Sequence, residues 1–181
     1  MPLFLLALLL PGCFLNGSVG VSSMDEGDDV DGDFDCGDGG LEAGFVDTLE
    51  EPSGCQYRIT ALGPDVRLVL DSTAFADALT EGSGSGTYTL PDDNVLLEVE
   101  TGCNLDAGVC GEDGTAVVDN TFVGSAGTIT ISATRDEASG TDGGYEAWAN
   151  VTFTDVVLED EEGNLLAIDA LGWEGVRLYG L

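Results

Sequence analysis

The sequence contains no histidine and no lysine, and its basic side chains are four arginines. Without histidine, neither a Ser-His-Asp triad nor a Cys-His pair can form. Without lysine, a Schiff-base lysine, a Ser-Lys dyad and a phosphate-binding P-loop are excluded. The glycine-rich run at 82–86 lacks the strand-to-helix context of a dinucleotide fingerprint. Because these catalytic arrangements are ruled out, we expect no enzymatic activity.

The scarcity of basic residues leaves a strongly acidic chain. Its 35 Asp and Glu residues give a net charge of −31 over 181 residues. Such a surface repels phosphate backbones, so nucleic-acid binding is disfavoured, and it also repels anionic lipid headgroups. Self-repulsion strains the compact state, and salt or bound cations relieve that strain. The composition is therefore compatible with a saline habitat or with cation binding.

The chain begins with an apolar segment, residues 1–15, which ends around a cysteine. It is shorter than the ~20 residues that span a bilayer, but it fits the h-region of a signal peptide. The residues Leu10-Pro11-Gly12-Cys13 resemble the lipobox of bacterial lipoproteins, with an aliphatic residue three positions before the cysteine. The resemblance implies removal of the signal peptide, residues 1–12, and a membrane anchor through lipidated Cys13.

The residue after Cys13 is Phe14 rather than Asp. In the lipoproteins that this segment resembles, that choice implies an address in the outer membrane. The alternative is an ordinary secretory signal that is cut elsewhere, in which case Cys13 is discarded and the protein is secreted.

Four further cysteines follow, and an even number in an exported chain predicts two disulfides. Four cysteines allow three connectivities, between which the sequence does not decide. We favour Cys103 with Cys110, which closes a small loop, and Cys36 with Cys55 by exclusion. Zinc is disfavoured, because the chain has no histidine and no Cys-x-x-Cys spacing.

Residues 13–54 are predicted to form a flexible acidic tether. This stretch is rich in Gly, Ser, Asp and Glu and shows no sustained apolar period. It buries too little apolar surface to offset its ordering entropy. We therefore expect a spacer that leads to one folded domain at residues 55–181.

The tether also carries alternating carboxylates that are candidate calcium ligands: Asp29, Asp31, Asp33 and Asp35. The first three alternate like the opening ligands of an EF-hand loop. The sixth loop position is Phe34 instead of Gly, and the twelfth is Gly40 instead of Glu. The run is similar to the short Asp-rich calcium repeats of secreted proteins, in which a cysteine follows, here Cys36. A solvated linker is the alternative, and the loops at 92–93, 112–113 and 160–162 could also bring carboxylates together.

The domain at 55–181 shows alternation of apolar and polar residues with a period of two, which is typical of strands with one buried face. Five segments alternate clearly, and four more do so weakly: 57–61, 66–70, 95–99, 129–133 and 145–153, then 87–90, 116–123, 165–170 and 176–179. Gly and Asp/Asn clusters separate them, including 82–86, 92–94 and 160–164. This pattern predicts an all-β domain, an antiparallel β-sandwich or a barrel.

At most one short helix is expected, at 73–80. Asp71 or Ser72 could cap it, and Phe75, Ala78 and Leu79 would share one face. Residues 127–163, a Thr-rich pair of strands around a Gly-rich turn, also resemble secreted bacterial β-sandwich lipoproteins. That resemblance implies a fold and not an activity.

Trp148 is the candidate ligand-binding residue. It falls on the polar face of the alternation at 145–153, beside Glu146 and Asn150. An aromatic platform with polar neighbours is one way in which a sheet holds a sugar ring or a partner protein. If the two strands pair, the face of Thr128, Thr130 and Ser132 extends this surface. The alternatives are cover by another segment, burial of both faces, or a bulge that turns Trp148 inward.

The sequence thus predicts a cell-envelope lipoprotein with a non-enzymatic binding or structural role. Its expected partners are the membrane, through the lipid anchor, and a glycan or a surface protein; nucleic acid is not expected. A calcium-dependent binding module is the first alternative, with calcium as the single candidate cofactor. A glycoside hydrolase that uses two carboxylates ~5–9.5 Å apart is the second.

Overall fold

Eight β-strands and one α-helix follow one another along the described part of the chain. The computed structural model describes residue 41 and residues 44–106, 115–137 and 145–179. The elements are a 3₁₀ turn (Phe45–Thr48), β1 (Ser53–Cys55), β2 (Arg58–Leu62), β3 (Val66–Ser72), α1 (Thr73–Glu81), β4 (Ser83–Thr89), β5 (Val95–Cys103), β6 (Val117–Asp136), β7 (Glu146–Glu159) and β8 (Leu165–Tyr179).

Seven of these strands close into a barrel, in the order β1, β2, β3, β5, β6, β7, β8 and back to β1. Neighbours are antiparallel except β1 and β8, which are parallel, with Gly54 opposite Leu178. β4 is the additional strand. It pairs with residues 128–134 of β6, whereas the pairing of β5 with β6 extends only as far as Val123 of β6. The prediction of an all-β domain with one short helix is confirmed, and the arrangement is the barrel.

The longest strands bend at bulges, and the bends allow the sheet to close. In β6 the buried positions are even-numbered up to Gly124 and odd-numbered from Ile129 onward, with register shifts between them. A side chain at Gly127 (φ 100°) would meet the carbonyl oxygen of Asp155 at 2.5 Å, so this position requires glycine. Bulges bend and twist a strand, as closure into a barrel demands.

Helix α1 lies against the inner side of the sheet and fills the core. Ser72 caps it, since its hydroxyl accepts a hydrogen bond from the Ala74 N–H at 3.2 Å. Phe75 and Ala78 are fully buried, and Leu79 is partly buried against the same core. The prediction of a helix at 73–80 with these residues on one face is confirmed.

β4 begins inside the glycine cluster at 82–86, directly after Gly82 ends α1, whereas the whole cluster was predicted to separate strands. That prediction was wrong, because glycine here serves close packing. A Cβ atom at Gly84 would lie 1.9 Å from the carbonyl oxygen of Ala74 in α1. The strand carries no side chain at this position, so the helix backbone lies directly on it.

The folded part begins earlier than residue 55, which corrects the predicted end of the tether. Phe45 is buried in the core, and Leu41, Val46 and Leu49 pack against it. β1 then supplies the strand that joins β2 to β8. The spacing of these four apolar residues, at i, i+4, i+5 and i+8, is helical and was the available signal.

Trp173 lies within β8. It is 6% exposed, and its ring meets that of Phe153 edge-to-face, with centroids 4.9 Å apart. Such aromatic pairs add to the stability gained from burial alone. Trp173 is therefore part of the core.

Replacement of Phe75 tests whether α1 holds the barrel core together. Phe75→Ala should lower the free energy of unfolding by about 3–5 kcal/mol, because it leaves a cavity among fully buried side chains. Phe75→Leu keeps most of the volume and should cost under about 1.5 kcal/mol. Urea denaturation of both variants, with Asp77→Asn on the exposed side of the same helix as control, measures this. A loss in Phe75→Ala no larger than in the control would contradict the described core.

Candidate functional site

The structure places Trp148 on the outer face of β7. Its neighbours Ala147 and Ala149 are fully buried, whereas Trp148 is 46% exposed. It lies opposite Thr134 on β6 and Arg177 on β8. No bulge turns it inward, because the alternation from 146 to 153 is unbroken.

Trp148 belongs to an outward-facing group, here called the aromatic cluster, that also contains Tyr179, Arg177 and Glu146. The Arg177 guanidinium lies 5.9 Å from the ring centroid of Trp148 and 4.8 Å from that of Tyr179. Each contact is within the range of a cation–π interaction. Tyr179 is 48% exposed, so both rings keep a large accessible surface.

Glu146 fixes the arginine of this cluster. One of its oxygens accepts hydrogen bonds from Nε of Arg177, at 2.8 Å, and from a terminal guanidinium nitrogen. The ion pair raises the pKa of Arg177 above its already high value. The cation between the two rings therefore stays charged and is held in place by a carboxylate on the neighbouring strand.

Asn150, the other predicted ligand contact, has a structural task. Its side-chain oxygen accepts a hydrogen bond from the Gly175 N–H at 2.8 Å. Gly175 lies in a bulge of β8, where the register between β7 and β8 shifts. Asn150 therefore holds the bulge that precedes Arg177, and it positions the cluster through the backbone.

Strands β6 and β7 pair in the way that an extended surface requires. Thr130 lies opposite Thr152, and Ser132 lies opposite Asn150. The predicted hydroxyl side chains thus continue the outer surface beside Trp148. Arg177 and Tyr179 were missed as site residues, although their alternation with buried Val176 and Leu178 was visible in the sequence.

Each of the four arginines pairs with a carboxylate. The pairs are Arg58 with Asp71, Arg67 with Glu100, Arg135 with Glu137 and Arg177 with Glu146. Arg135 also donates to the carbonyl oxygens of Leu79 and Thr80 at the end of α1, where a cation is favoured by the helix dipole. The first three pairs support the fold, and only the fourth lies in the aromatic cluster.

Glu98 is the described carboxyl whose pKa is raised, as the general acid of the hydrolase alternative would require. Burial is the main cause, and the like charges of Glu100 and Asp71 add to it. Its strand partners are Val69 and Val123. Asp71 and Glu100 form ion pairs with Arg58 and Arg67, so we assign these two carboxylates a structural role.

Several predicted site residues lie outside the described residues. These are the lipidation site Cys13, the calcium candidates Asp29, Asp31, Asp33 and Asp35, and the two cysteines Cys36 and Cys110. Cys55 lies at the end of β1 and Cys103 at the end of β5. The pairing of the four cysteines stays a prediction.

Asp160 closes the turn between β7 and β8 and is 7% exposed. One oxygen accepts hydrogen bonds from the backbone N–H groups of Glu162 and Asn164, at 3.0 and 2.8 Å. The other accepts from the side-chain amides of Asn120 and Asn164, at 2.9 and 2.8 Å. These donors, the side-chain amides first, lower the pKa of Asp160 to about 2. The carboxylate of Asp160 therefore has a structural role: its hydrogen bonds hold the turn in place.

Metal ligands do not gather in the described part of the chain. No group of three or more His, Cys, Asp or Glu residues there could hold an ion. Of the loops that were predicted to bring carboxylates together, 160–162 forms the turn in which the Asp160 carboxylate accepts hydrogen bonds from protein groups. In the loop at 92–94, Asp92 accepts hydrogen bonds from the backbone and side chain of Asn94.

A groove of about 490 Å³ lies beside the start of α1. Tyr57 and Leu96 line it and are 51% and 42% exposed. Asp71, Asp92 and Asp93 line the same groove. Its acidic lining distinguishes it from the aromatic cluster, which carries a paired cation between two rings.

Comparison with known proteins gives no relative from which a function could be carried over. No family model matches the chain, and no curated protein or solved structure does so either. In the residues that the structure describes, no helix is long and apolar enough to cross a membrane.

The Asp160 turn makes a signed prediction about pH. Because folding lowers the pKa of Asp160 from its ordinary value to about 2, the stabilisation is present above pH ~4 and is lost as the pH falls towards 2. Asp160→Asn should therefore lower the melting temperature near pH 7, since an amide cannot accept from all four donors.

Melting curves from pH 7 to pH 2 measure this difference, with Asp169→Asn on the exposed part of β8 as control. The gap between wild type and Asp160→Asn should narrow below pH 4. A gap that is constant with pH would show that the turn does not depend on the ionised carboxylate.

Proposed function

We propose that this chain is a lipid-anchored protein of the bacterial cell envelope that binds a glycan, without catalysis, through the aromatic cluster. The observation that carries the proposal is the pair of half-exposed rings, Trp148 and Tyr179, both within cation–π distance of the ion-paired Arg177. Adjoining exposed apolar groups that are rimmed by polar residues mark interaction sites.

The chemistry of the cluster suits a sugar better than a flat protein partner. A sugar ring has an apolar face that packs on an aromatic ring and hydroxyl groups that need donors and acceptors. Arg177 supplies donors and Glu146 supplies an acceptor within reach of both rings. The net charge of −31 repels acidic polymers, so the proposal is confined to neutral glycans.

The proposed anchor is the lipid on Cys13. Its support is the lipobox-like Leu10-Pro11-Gly12-Cys13 at the end of a short apolar segment. A surface this acidic gains nothing from anionic headgroups, so a hydrocarbon chain would supply the membrane affinity. Residues between the anchor and the barrel would then set its distance from the membrane. Because Phe14 follows the cysteine, the proposed location is the outer membrane.

Truncation of Trp148 tests glycan binding. The purified full-length chain is assayed against neutral polysaccharides (cellulose, xylan, chitin and mixed-linkage glucan) by affinity electrophoresis and pull-down. Trp148→Ala should weaken binding of the best polymer about tenfold or more, as expected for a central aromatic contact. Its melting temperature should stay close to wild type, because the side chain is half exposed.

Tyr57→Ala is the matched control, since Tyr57 is an equally exposed aromatic in the acidic groove. It should leave the affinity unchanged. Equal binding by wild type and Trp148→Ala, or loss in Tyr57→Ala alone, would overturn the assignment of the site.

Lipidation is tested separately in a bacterial host. Cells that produce the full chain are labelled with an alkyne-tagged fatty acid, and the protein is examined for the tag. Wild type should carry it and Cys13→Ser should not, whereas Cys36→Ser should keep it because that cysteine has no role in anchoring. An unlabelled wild-type chain would support the alternative of an ordinary secretory signal.

A further inference from the structure

A larger surface shares Trp148 with the aromatic cluster. It is here called the hydroxyl face and is made by the outward positions of β4, β6 and β7. Its twelve positions are Ser83, Ser85, Thr87, Thr89, Thr128, Thr130, Ser132, Thr134, Trp148, Asn150, Thr152 and Thr154. The strand registers place them in rows, such as Thr87, Thr130 and Thr152, or Ser83, Thr134 and Trp148. All but Thr128, which is half-buried, are exposed.

Most side chains of this face carry a hydroxyl group. All four positions on β4, all four on β6 and two on β7 are Ser or Thr, and the remaining two are Asn150 and Trp148. None of the twelve is charged, although 22% of the residues in the chain are. On the surface of a protein with a net charge of −31, this composition is unexpected unless a charge at these positions is unfavourable.

We propose that the hydroxyl face binds an extended, linear, neutral polysaccharide that lies along the strands, with one of its sugar residues on Trp148. This inference rests on the proposed function and adds to it the class of ligand: a polymer in place of a single sugar or a chain end.

The dimensions of the face support a polymer. From Trp148 to Thr154 it extends about 20 Å along the strand, at ~3.3 Å per residue, and its three strands lie ~4.8 Å apart. A single sugar at Trp148 would leave most of this surface unused. A chain of several sugar residues would cover it from end to end.

The chemistry of the face also matches a neutral polysaccharide. Each hydroxyl is both a donor and an acceptor, as are the hydroxyls of a sugar polymer. The hydroxyl oxygens of Thr87 and Thr130 are 3.3 Å apart, and either hydroxyl can be the donor. The hydroxyl groups can therefore reorient towards a ligand. A charged side chain would need to be desolvated by the incoming polymer, which explains why the face carries none.

Cross-strand threonine pairs also stabilise a sheet, and the experiment separates that role from binding. The test variant is Thr130→Val/Thr152→Val, which removes two hydroxyls and keeps side chains that suit a strand. Thr121→Val, on the outer side of β6 but outside the face, is the control. Melting temperatures of all three proteins report any structural effect.

Affinity is measured by calorimetry for the full-length chain with oligosaccharides of the best-bound polymer, from two to six sugar residues. We expect the six-residue ligand to bind wild type at least tenfold more tightly than the two-residue ligand. Thr130→Val/Thr152→Val should lose most of that gain and keep the affinity for the short ligand. Thr121→Val should behave like wild type.

The outcomes distinguish the two proposals. If Trp148→Ala abolishes binding but affinity is independent of length and of the valine substitutions, the hydroxyl face is structural and the inference is wrong, while the glycan site stands. If alginate, an acidic polymer, binds as well as the neutral ones, the assignment to neutral chains is wrong. If no polysaccharide binds, both proposals fail.

Discussion

The core and the outer surface take their positions because the sheet closes into a barrel. The long strands β6, β7 and β8 can surround the core only because each bends at a bulge. At the bulge in β6, residue 127 must be glycine, because its backbone has a positive φ and a Cβ atom would collide with Asp155. The short strand β1 completes the ring between β2 and β8. Only inside this ring do Phe75 of α1 and the Phe153–Trp173 pair find a common core.

The outer surface is arranged around charge. A chain with 35 acids and four arginines has few cations with which to offset repulsion, and it places every one of them against a carboxylate. Three of these pairs tie strands or the end of α1 together. The fourth pair, Arg177 with Glu146, lies next to the exposed rings of Trp148 and Tyr179. The neighbouring outward positions on β6 and β4 carry Ser and Thr instead of acidic residues. The distribution of charge thus separates an acidic surface from an uncharged surface next to the proposed site.

The sequence predicted the strands well, because alternation reports directly which side chains face the core. It placed Phe75 and Ala78 on the buried side of a helix and Trp148 on the polar side of a strand. It could not show that 116–123 and 129–133 are one strand, since the bulges between them break the alternation. It also could not show that β1 meets β8 in parallel, because that contact joins distant segments. The glycine cluster at 82–86 looks like a turn in sequence, and its role appears only when Ala74 is seen against Gly84.

The site was only partly predictable for the same reason. Trp148 and Glu146 were identified from one strand, but Arg177 and Tyr179 become neighbours through the register of β7 with β8. Asn150 seemed a ligand contact from its position, whereas its oxygen is used by the backbone of Gly175. The alternation along one strand shows which side of the sheet a residue faces. The register between strands, which the sequence does not show, determines which residues lie beside it.

The two tryptophans allow a direct test of whether the outer side of β7 and β8 binds the ligand. Trp148 is exposed there, and Trp173 is buried in the core, so their indole N–H signals in an NMR spectrum report the two environments separately. During titration with a neutral polysaccharide fragment, we expect the Trp148 signal to shift and the Trp173 signal to stay unchanged. A titration that moves Trp173, or that moves signals around Tyr57 and leaves Trp148 unchanged, would contradict it.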